Sequence, residues 1–573
     1  MTISNLLLAI STFLLSGWAL LPVSLQFIIG VFAAVCILSI LWIALNWAYN
    51  IINSHPYNRY MFAAVFSFIF SDILINQLEN IYLSYFFFIL IGGILLLFLF
   101  KDLQVLRCIS FIVSGSVLLL SLKLLKLFNP KLAIFQHNLQ GNISTKFQYF
   151  TNYEWGFDSL NLAYSFGIDG LSIYFIVLTS LLIFICILFI WNDKNFKEYA
   201  LTLIIIELFL FIIFSVLDLF LFYIFFEAIL IPMYLLIGVW GSRERKIRAV
   251  YLFFFYTLCG SILFLIAILY IYSITGTLNL EYLLAFNFTE TDQKILWLCC
   301  FLSFASKIPM FPFHIWLPEA HVEAPTVGSV LLAGILLKLG VYGFLRFSIT
   351  LFPDASIFFS PFVYLLSIIG VLYASMSAIR QTDLKRIIAY SSVAHMNLVT
   401  LGIFSFNVIG IEGAILQSIS HGFVSGGMFL LIGVLYNRYH SRFLYYYGGL
   451  VQMMPIYAIF FLIFTFANIA IPGTSSFVGE FLILAGIFKT NVITAIISAL
   501  GVILCGAYSL WLYNRIIFGN LKIDYTIKFK DMDLKEFIVL APLFILIFFM
   551  GIYPTFFSFY IKIFSASLSF ATV

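Results

Sequence analysis

The chain has 573 residues, of which 63% are hydrophobic and 9% charged, and its mean hydropathy is +1.11. Soluble domains carry about 25% charged residues, so this composition cannot cover a water-facing surface and describes a polytopic membrane protein. The formal net charge of +4 is spread over many loops, which excludes a basic block for nucleic acid, and no stretch is long and polar enough for a soluble catalytic domain.

A membrane span needs roughly 20 apolar residues, and about 15–17 such segments fit the chain. The opening MTISNLLLAISTFLLSGWALL lacks a basic n-region and a small-residue cleavage site, and reads as a retained helix. Apolar segments lie near 4–22, 24–50, 60–76, 82–101 and 107–128. Residues 129–163 are polar and aromatic, with Asn138, Asn142, Asn152, Glu154 and Asp158, and read as a surface loop or short hairpin. From GIDGLSIYFIVLTSLL a regular array begins. Its further segments lie near 199–216, 218–240, 249–274, 294–313, 326–349, 360–378, 385–404, 410–436, 455–485, 489–517 and 534–556.

Every second loop of this array is basic. Lys194 and Lys197 come first, then Arg243, Arg245, Lys246 and Arg248, then Arg380, Lys385 and Arg386, then Arg438 and Arg442, then Lys522, Lys528 and Lys530. The alternate loops carry Glu281, Glu290, Asp292 and Asp354. The basic face is therefore the cytoplasmic or matrix side.

Two apolar segments are interrupted. Pro309 and Pro312 follow Lys307, and Pro472 and Gly473 precede Glu480. An odd number of segments separates the two, so the copies run in opposite directions and form an inverted repeat. Paired, broken segments of this kind point to a transport site, because unwound backbone at membrane depth survives only where it is buried or lines a cavity.

Charged groups inside these segments cost at least ~2.5–3.5 kcal/mol each on insertion scales. In chain order they are Glu227, Lys307, Lys338, His395, His421 and Glu480. Glu227 lies about 13 Å into its segment when Asp218 is taken as the outer end, and Pro232 frees a carbonyl nearby. A lysine whose carboxylate partner changes charge can switch between holding and releasing a proton, and histidine bridges such groups near neutral pH. Ser391, Ser392, Ser418, Ser420 and Thr326 could complete a proton wire. His314 lies near a boundary, Glu319 and Glu323 read as a solvated turn with His321, Asp218 reads as interfacial, and Glu207 is acidic without an evident partner. For any single one of these residues a snorkelling side chain or a structural ion pair is the competing reading.

The seven cysteines, Cys36, Cys108, Cys186, Cys259, Cys299, Cys300 and Cys505, lie mostly in apolar runs and form no CxxC pair. They read as inert core thiols rather than a disulfide frame or a zinc or iron–sulfur site. No HExxH, P-loop or strand-following GxGxxG occurs, and the histidines are scattered over separate segments, so no metal or cofactor is expected in the chain itself. The wealth of Phe (69) and Tyr (32) fits an AT-rich organelle gene.

The runs FFEAILIPMYLLIGVWG, SKIPMFPFHIWLPEAHVEAPTVGSVLLAGILLKLGVYG, DLKRIIAYSSVAHMNLV, SHGFVSGGMFLLIGVLYNR and IPGTSSFVGEF together resemble the antiporter-like subunits of respiratory complex I, and the related subunits of multi-subunit sodium/proton antiporters. The resemblance covers roughly residues 164–556. It is nearest to the subunit-4 branch, chain M in bacteria, because Glu480 stands where sister subunits tend to carry lysine, and because the tail after 556 is short where subunit 5 continues into a lateral helix.

The resemblance implies an all-α polytopic membrane protein. Its core would hold about 14 transmembrane helices with two inverted five-helix repeats, each with a broken helix, plus about three extra N-terminal helices. The expected divisions are 1–80, an extension; 81–163, two core helices and a polar loop; 164–350 and 351–517, the two repeats; and 518–573, a final helix and short tail. It implies a non-redox, proton-translocating subunit in which Glu227 pairs with Lys307, Lys338 is central, His395 and His421 link onward, and Glu480 is terminal. NADH, flavin, iron–sulfur clusters and ubiquinone would be bound by partner subunits. The implied partners are the other membrane-arm subunits, especially antiporter-like subunits 2 and 5, with accessory subunits and lipids, and without nucleic acid. The implied location is the mitochondrial inner membrane, or a bacterial plasma membrane. Residues 1–80 and Glu207 have no match in the family pattern. A stand-alone sodium/proton antiporter subunit and a purely structural membrane-arm spacer stay open as alternatives.

Overall fold

The computed structural model describes residues 82–129, 147–154, 163–193, 195–522 and 530–570. The expected extra helices of 1–80 lie outside the described residues. In order, the helices are α1 (Tyr82–Leu99), α2 (Leu103–Leu127), α3 (Ser172–Phe189), α4 (Phe196–Ser215), α5 (Leu219–Trp240), α6 (Lys246–Thr275), α7 (Leu280–Ala285), α8 (Glu290–Lys307), α9 (Trp316–Glu323), α10 (Thr326–Leu351) and α11 (Pro353–Phe358). They continue with α12 (Ser360–Arg380), α13 (Leu384–Ile403), α14 (Val408–Tyr439), α15 (Pro455–Ile469), α16 (Ser475–Thr490), α17 (Val492–Ile517), α18 (Leu534–Ile552) and α19 (Pro554–Phe570). Among the described residues, 10 helices are long and apolar enough to cross a membrane, so the polytopic helical architecture is as expected.

The helices start where the sequence supplies a cap. Asp218 accepts from the backbone N–H groups of Phe220 and Leu221, both at 2.9 Å, which fixes it as the cap of α5. Asn407 accepts from Gly410 at 2.7 Å, Asp383 from Lys385 at 3.1 Å and Asn491 from Thr494 at 3.2 Å. Each such bond satisfies a donor the helix leaves free at its first turn. Asp533 and Glu536 close a full capping box on α18. Within α5, Pro232 has no N–H to offer the carbonyl of Ala228, and the helix is interrupted at Ile229 one residue later.

One element departs from an all-helical fold. β1 (Gln148–Glu154) and β2 (Ala163–Ile168) form an antiparallel hairpin that starts in the stretch read as a surface loop or short hairpin and runs past its end at 163. The backbone N–H of Leu217 donates to Ser165 O at 2.9 Å, and that of Leu280 to Leu217 O at 2.8 Å. The hairpin is thereby tied to the links that precede α5 and α7.

Helices α10 and α14 are buried along almost their whole length, whereas α6 and α18 turn much of their surface outward. Because bilayer tails are as apolar as the side chains, close approach rather than a hydrophobic gradient holds such helices together. α14 and α16 approach through glycine. A Cβ on Gly413 would sit 2.7 Å from the backbone N of Ile483, and one on Gly479 would sit 2.7 Å from Cα of Gln417. The two helices cannot be that near with any side chain between them.

Most of α19 (Pro554–Phe570) lies past residue 556, where a short tail was expected; it packs on α14 and touches the start of α3. Tyr174 OH donates to Phe556 O at 3.4 Å. Both interrupted segments are broken where expected. α8 stops at Lys307 and the chain resumes as α9 at Trp316. α15 ends at Ile469, Ala470 takes a left-handed φ of 63°, and α16 begins at Ser475.

Candidate functional site

α10 is not a plain α-helix. Two π-helical segments, Leu332–Leu336 and Phe344–Ser348, flank the α-helical stretch Leu337–Gly343 that carries Lys338. A π segment displaces the ladder by one residue and is common at functional sites. Here it aims the Ala333 carbonyl at Lys338, whose Nζ donates to it at 2.5 Å. The same Nζ lies 2.8 Å from Nδ1 of His421 on α14. Lys338 is wholly buried, so those two acceptors are its local stabilisation.

The line continues. The rings of His421 and His395 have centroids 5.9 Å apart. His395, on α13, brings its Nδ1 to 2.9 Å from Oε1 of Glu480 on α16, and Gln417 Nε2 donates to the same oxygen at 3.1 Å. On the other side of the ring, His395 Nε2 faces Cys505 Sγ at 3.7 Å, and that thiol is 2.9 Å from the Tyr508 hydroxyl. Four of the six expected residues thus form one buried succession, Lys338, His421, His395 and Glu480, drawn from four helices.

The other two are near it but less engaged. Lys307 Nζ ends α8 over the ring of Phe226, 4.5 Å from its centroid. Glu227 is the next residue and lies within Coulombic reach of Lys307. The expected pair forms no direct ion contact, because neither Lys307 Nζ nor either Glu227 oxygen has a hydrogen-bond partner among the described residues. The Phe226 ring occupies the space beside the ammonium, and the α5 break at Ile229 sets the course of the helix just after the carboxylate. Gly340 holds α10 against the end of α8: a Cβ there would fall 2.8 Å from Phe304 O and 3.2 Å from the N of Ile308.

The hydroxyls expected to complete a wire divide. Ser391, Ser392 and Ser418 donate to carbonyls of their own helices. Ser420 instead reaches across to Ser475 at 2.7 Å and Ser476 at 2.9 Å, at the start of α16. Glu207 is buried in α4 with neither oxygen partnered among the described residues. His321 is buried against the Phe429 ring at 4.7 Å, with neither nitrogen hydrogen-bonded among the described residues.

Two buried ion-pair groups were not expected. Arg346 Nη2 lies 2.7 Å from Asp169 Oδ1, and its guanidinium faces the rings of Phe147, Tyr342 and Phe564. Arg442 is 1% exposed and joins four elements: it lies 3.0 Å from Glu323 and 3.0 Å from Asp383, and bonds Ser242 Oγ and Val322 O. Lys385 donates to Ala324 O at 2.7 Å. Glu323 is therefore no part of a solvated turn, and Arg442 and Lys385 are not free loop charges; the loop backbones meet there and need buried donors. Glu319 pairs with Arg386 at 2.7 Å and is partly exposed. The expected convergence of basic loops at one end of the bundle is visible in these bonds. Asp383 accepts them outside the helices, and burial raises its carboxyl above the usual range while Arg442 opposes the rise. Among the described residues, no three His, Cys, Asp or Glu side chains converge as a metal ion needs.

Comparison with known proteins agrees with this geometry. Residues 216–505, from Val216 at the end of α4 to Cys505, match the family model described as NADH:quinone oxidoreductase/Mrp antiporter, TM. The chain is 56% identical over 419 residues to NADH-ubiquinone oxidoreductase chain 4 of Chondrus crispus, covering 73% of this chain and 85% of that one. With the Arabidopsis thaliana protein of the same name it shares 51% identity over 467 residues, 81% of this chain and 92% of that one. Its fold superposes with a TM-score of 0.75 on a chain of respiratory complex I from Thermus thermophilus, at 29% identity over 87% of this chain and 99% of that one. A chain of the Mrp complex from Dietzia sp. shares the fold at a TM-score of 0.73 and 18% identity. With its broken helices, its buried lysine–histidine–glutamate line and relatives of this identity across nearly their whole length, the chain belongs to the family of NADH-ubiquinone oxidoreductase chain 4, among the antiporter-like membrane subunits.

Proposed function

We propose that the chain is a proton-translocating, non-redox subunit of the membrane arm of NADH:ubiquinone oxidoreductase, moving protons along Glu227, Lys307, Lys338, His421, His395 and Glu480. The observation that carries this reading is the buried succession of two hydrogen-bonded pairs, Lys338 with His421 and His395 with Glu480, whose imidazole rings stand 5.9 Å apart inside the helical bundle. Ammonium, imidazole and carboxyl groups are the side chains that take up and release protons in apolar surroundings. Electron transfer belongs to partner subunits that bind NADH, flavin, iron–sulfur clusters and ubiquinone. It reaches this chain as a change in electrostatics: Lys307 is loaded from the basic face while Glu227 is drawn toward a neighbouring subunit, and the proton leaves near Glu480. Antiporter-like subunits 2 and 5 are the neighbours on this reading, with accessory subunits and lipid around them, in the mitochondrial inner membrane. The inverted pair of five-helix repeats belongs to the same reading, and its support is the pair of breaks at Lys307 and Ala470.

The test begins with a native gel of mild-detergent membranes stained for NADH dehydrogenase activity, the active band being digested for mass spectrometry. Peptides of this chain in a large NADH-active band are expected. Their presence only in a smaller, NADH-inactive assembly, with sodium-dependent proton flux in vesicles that lack an electron donor, overturns the assignment in favour of a stand-alone antiporter.

A further inference from the structure

Cys505 was read from sequence as an inert thiol, yet it is hydrogen-bonded inside the terminal part of the line. The Asn468 carbonyl, in the last turn of α15 and 3.3 Å from Sγ, is an acceptor within reach of its one hydrogen. The sulfur lone pairs then face His395 Nε2 at 3.7 Å and the Tyr508 hydroxyl at 2.9 Å. A neutral imidazole holds one hydrogen, and the partner on one nitrogen decides what the other can do. Glu480 and Gln417 lie on the Nδ1 side, and the thiol and tyrosine lie on the Nε2 side.

We propose that Cys505 is a positioning residue that keeps the hydrogen of neutral His395 on Nε2, so that Nδ1 is the nitrogen that exchanges a proton with Glu480. The inference rests on the proton-relay reading above and deepens it. Sulfur is a weak acceptor. The contact therefore orients the ring without trapping the proton, whereas a carboxylate in the same place would compete with Glu480. The groups facing the ring are Glu480 from α16, Cys505 and Tyr508 from α17, and His421 from α14, with Lys338 behind His421.

The experiment compares Cys505→Ala, Cys505→Ser and Cys505→Val in inverted membrane vesicles that hold the intact complex, reading protons pumped per NADH oxidised and the NADH oxidation rate. A net hydrogen bond amounts to about 1 kcal/mol, or roughly a fivefold change. Alanine and valine are expected to slow coupled turnover roughly fivefold in a fully assembled complex, while serine, which can both donate to Asn468 and accept from Nε2, runs at the native rate. Equal rates in all three overturn the inference, as does a serine variant as slow as valine. Should alanine block assembly, the serine and valine pair decides alone. His395→Ala and Glu480→Gln run alongside. If these two pump normally the relay reading itself falls; if they fail while Cys505→Val is native, only the role of Cys505 falls.

Discussion

Lys338→Met separates a proton carrier from a structural pin. Methionine matches the reach and bulk of lysine but removes the ammonium. The structure gives that ammonium two partners, Ala333 O at 2.5 Å and His421 Nδ1 at 2.8 Å. Hydrogen bonds of a charged group contribute about 1.5–3 kcal/mol each, so some 3–6 kcal/mol of interaction is lost. Against this, the desolvation of a wholly buried ammonium, several kcal/mol, is no longer paid. The opposing effects are of the same size, and the subunit is expected to assemble at the native level on a native gel. Proton flow has no such compensation. With the link between α10 and α14 gone, the path loses at least one charge-assisted contact of about 1.5–3 kcal/mol, which corresponds to a roughly 10- to 100-fold slower transfer. The assay is proton uptake by inverted vesicles oxidising NADH, set against NADH oxidation with an artificial electron acceptor, which is expected to stay unchanged. Native pumping per electron in the assembled Lys338→Met complex would refute the reasoning and leave the lysine a helix pin.

Glu227→Gln is expected to lower pumping and, where coupling is tight, quinone reduction with it, while assembly changes little, because the amide keeps an acceptor for the neighbouring Ser261 hydroxyl and no ion pair is lost among the described residues; a native pumping stoichiometry would sink the coupling scheme. Asp169→Asn leaves the buried Arg346 guanidinium without its counter-charge and is expected to cost about 3–5 kcal/mol, read as an earlier thermal release of the subunit. The double variant Asp169→Leu with Arg346→Met is expected to recover most of that loss, and additive losses would show that the pair is not coupled. Gly340→Ala drives a methyl against Phe304 O and Ile308 N, and overpacking of about 1–3 kcal/mol is expected to lower the amount of assembled complex; a fully active Gly340→Ala complex would mean that α10 need not touch the break after Lys307.

The sequence made the greasy bundle, both broken helices and the line of intramembrane charges legible, because each is a local contrast: a charge or a proline in an apolar run. Partnerships were less visible. Asp169 and Arg346 are 177 positions apart, and nothing local to either says that they meet. Lys385 and Arg442 stand beside helix ends, where a basic residue normally faces water. Only the convergence of Ser242, Glu323, Asp383 and Arg442 at one end of the bundle shows that loop backbones are buried there and require donors. The π segments around Lys338 left no mark either, since a run such as LLAGILLKLGVYG suits an α-helix equally well. α19 was missed because Ser and Lys interleave with its apolar residues, which suits a helix lying against the bundle rather than one spanning the bilayer alone.

The two ends of the charge line are in different conditions, and the difference bears on how it is driven. From Lys338 onward the groups form two hydrogen-bonded pairs, Lys338 with His421 and His395 with Glu480, and the two imidazole rings stand 5.9 Å apart between them. At the other end Lys307 lies over the Phe226 ring and meets Glu227 through the field between them, while the Ser261 hydroxyl is the polar group beside the carboxylate. A hydrogen-bonded stretch relays a proton with small displacements, whereas a charge stacked on an aromatic face must move or gain water before it can pass one on. On the proposed relay, the controlling step would therefore belong at the break after Lys307. There the backbone between α8 and α9 is not helical, and a shift of the carboxylate on α5 alters the energy of a wholly buried ammonium more than it could alter a solvated one. On the proposed relay, distant electron transfer would act on the subunit at that point, and the groups from Lys338 to Glu480 would carry onward the proton that Lys307 releases.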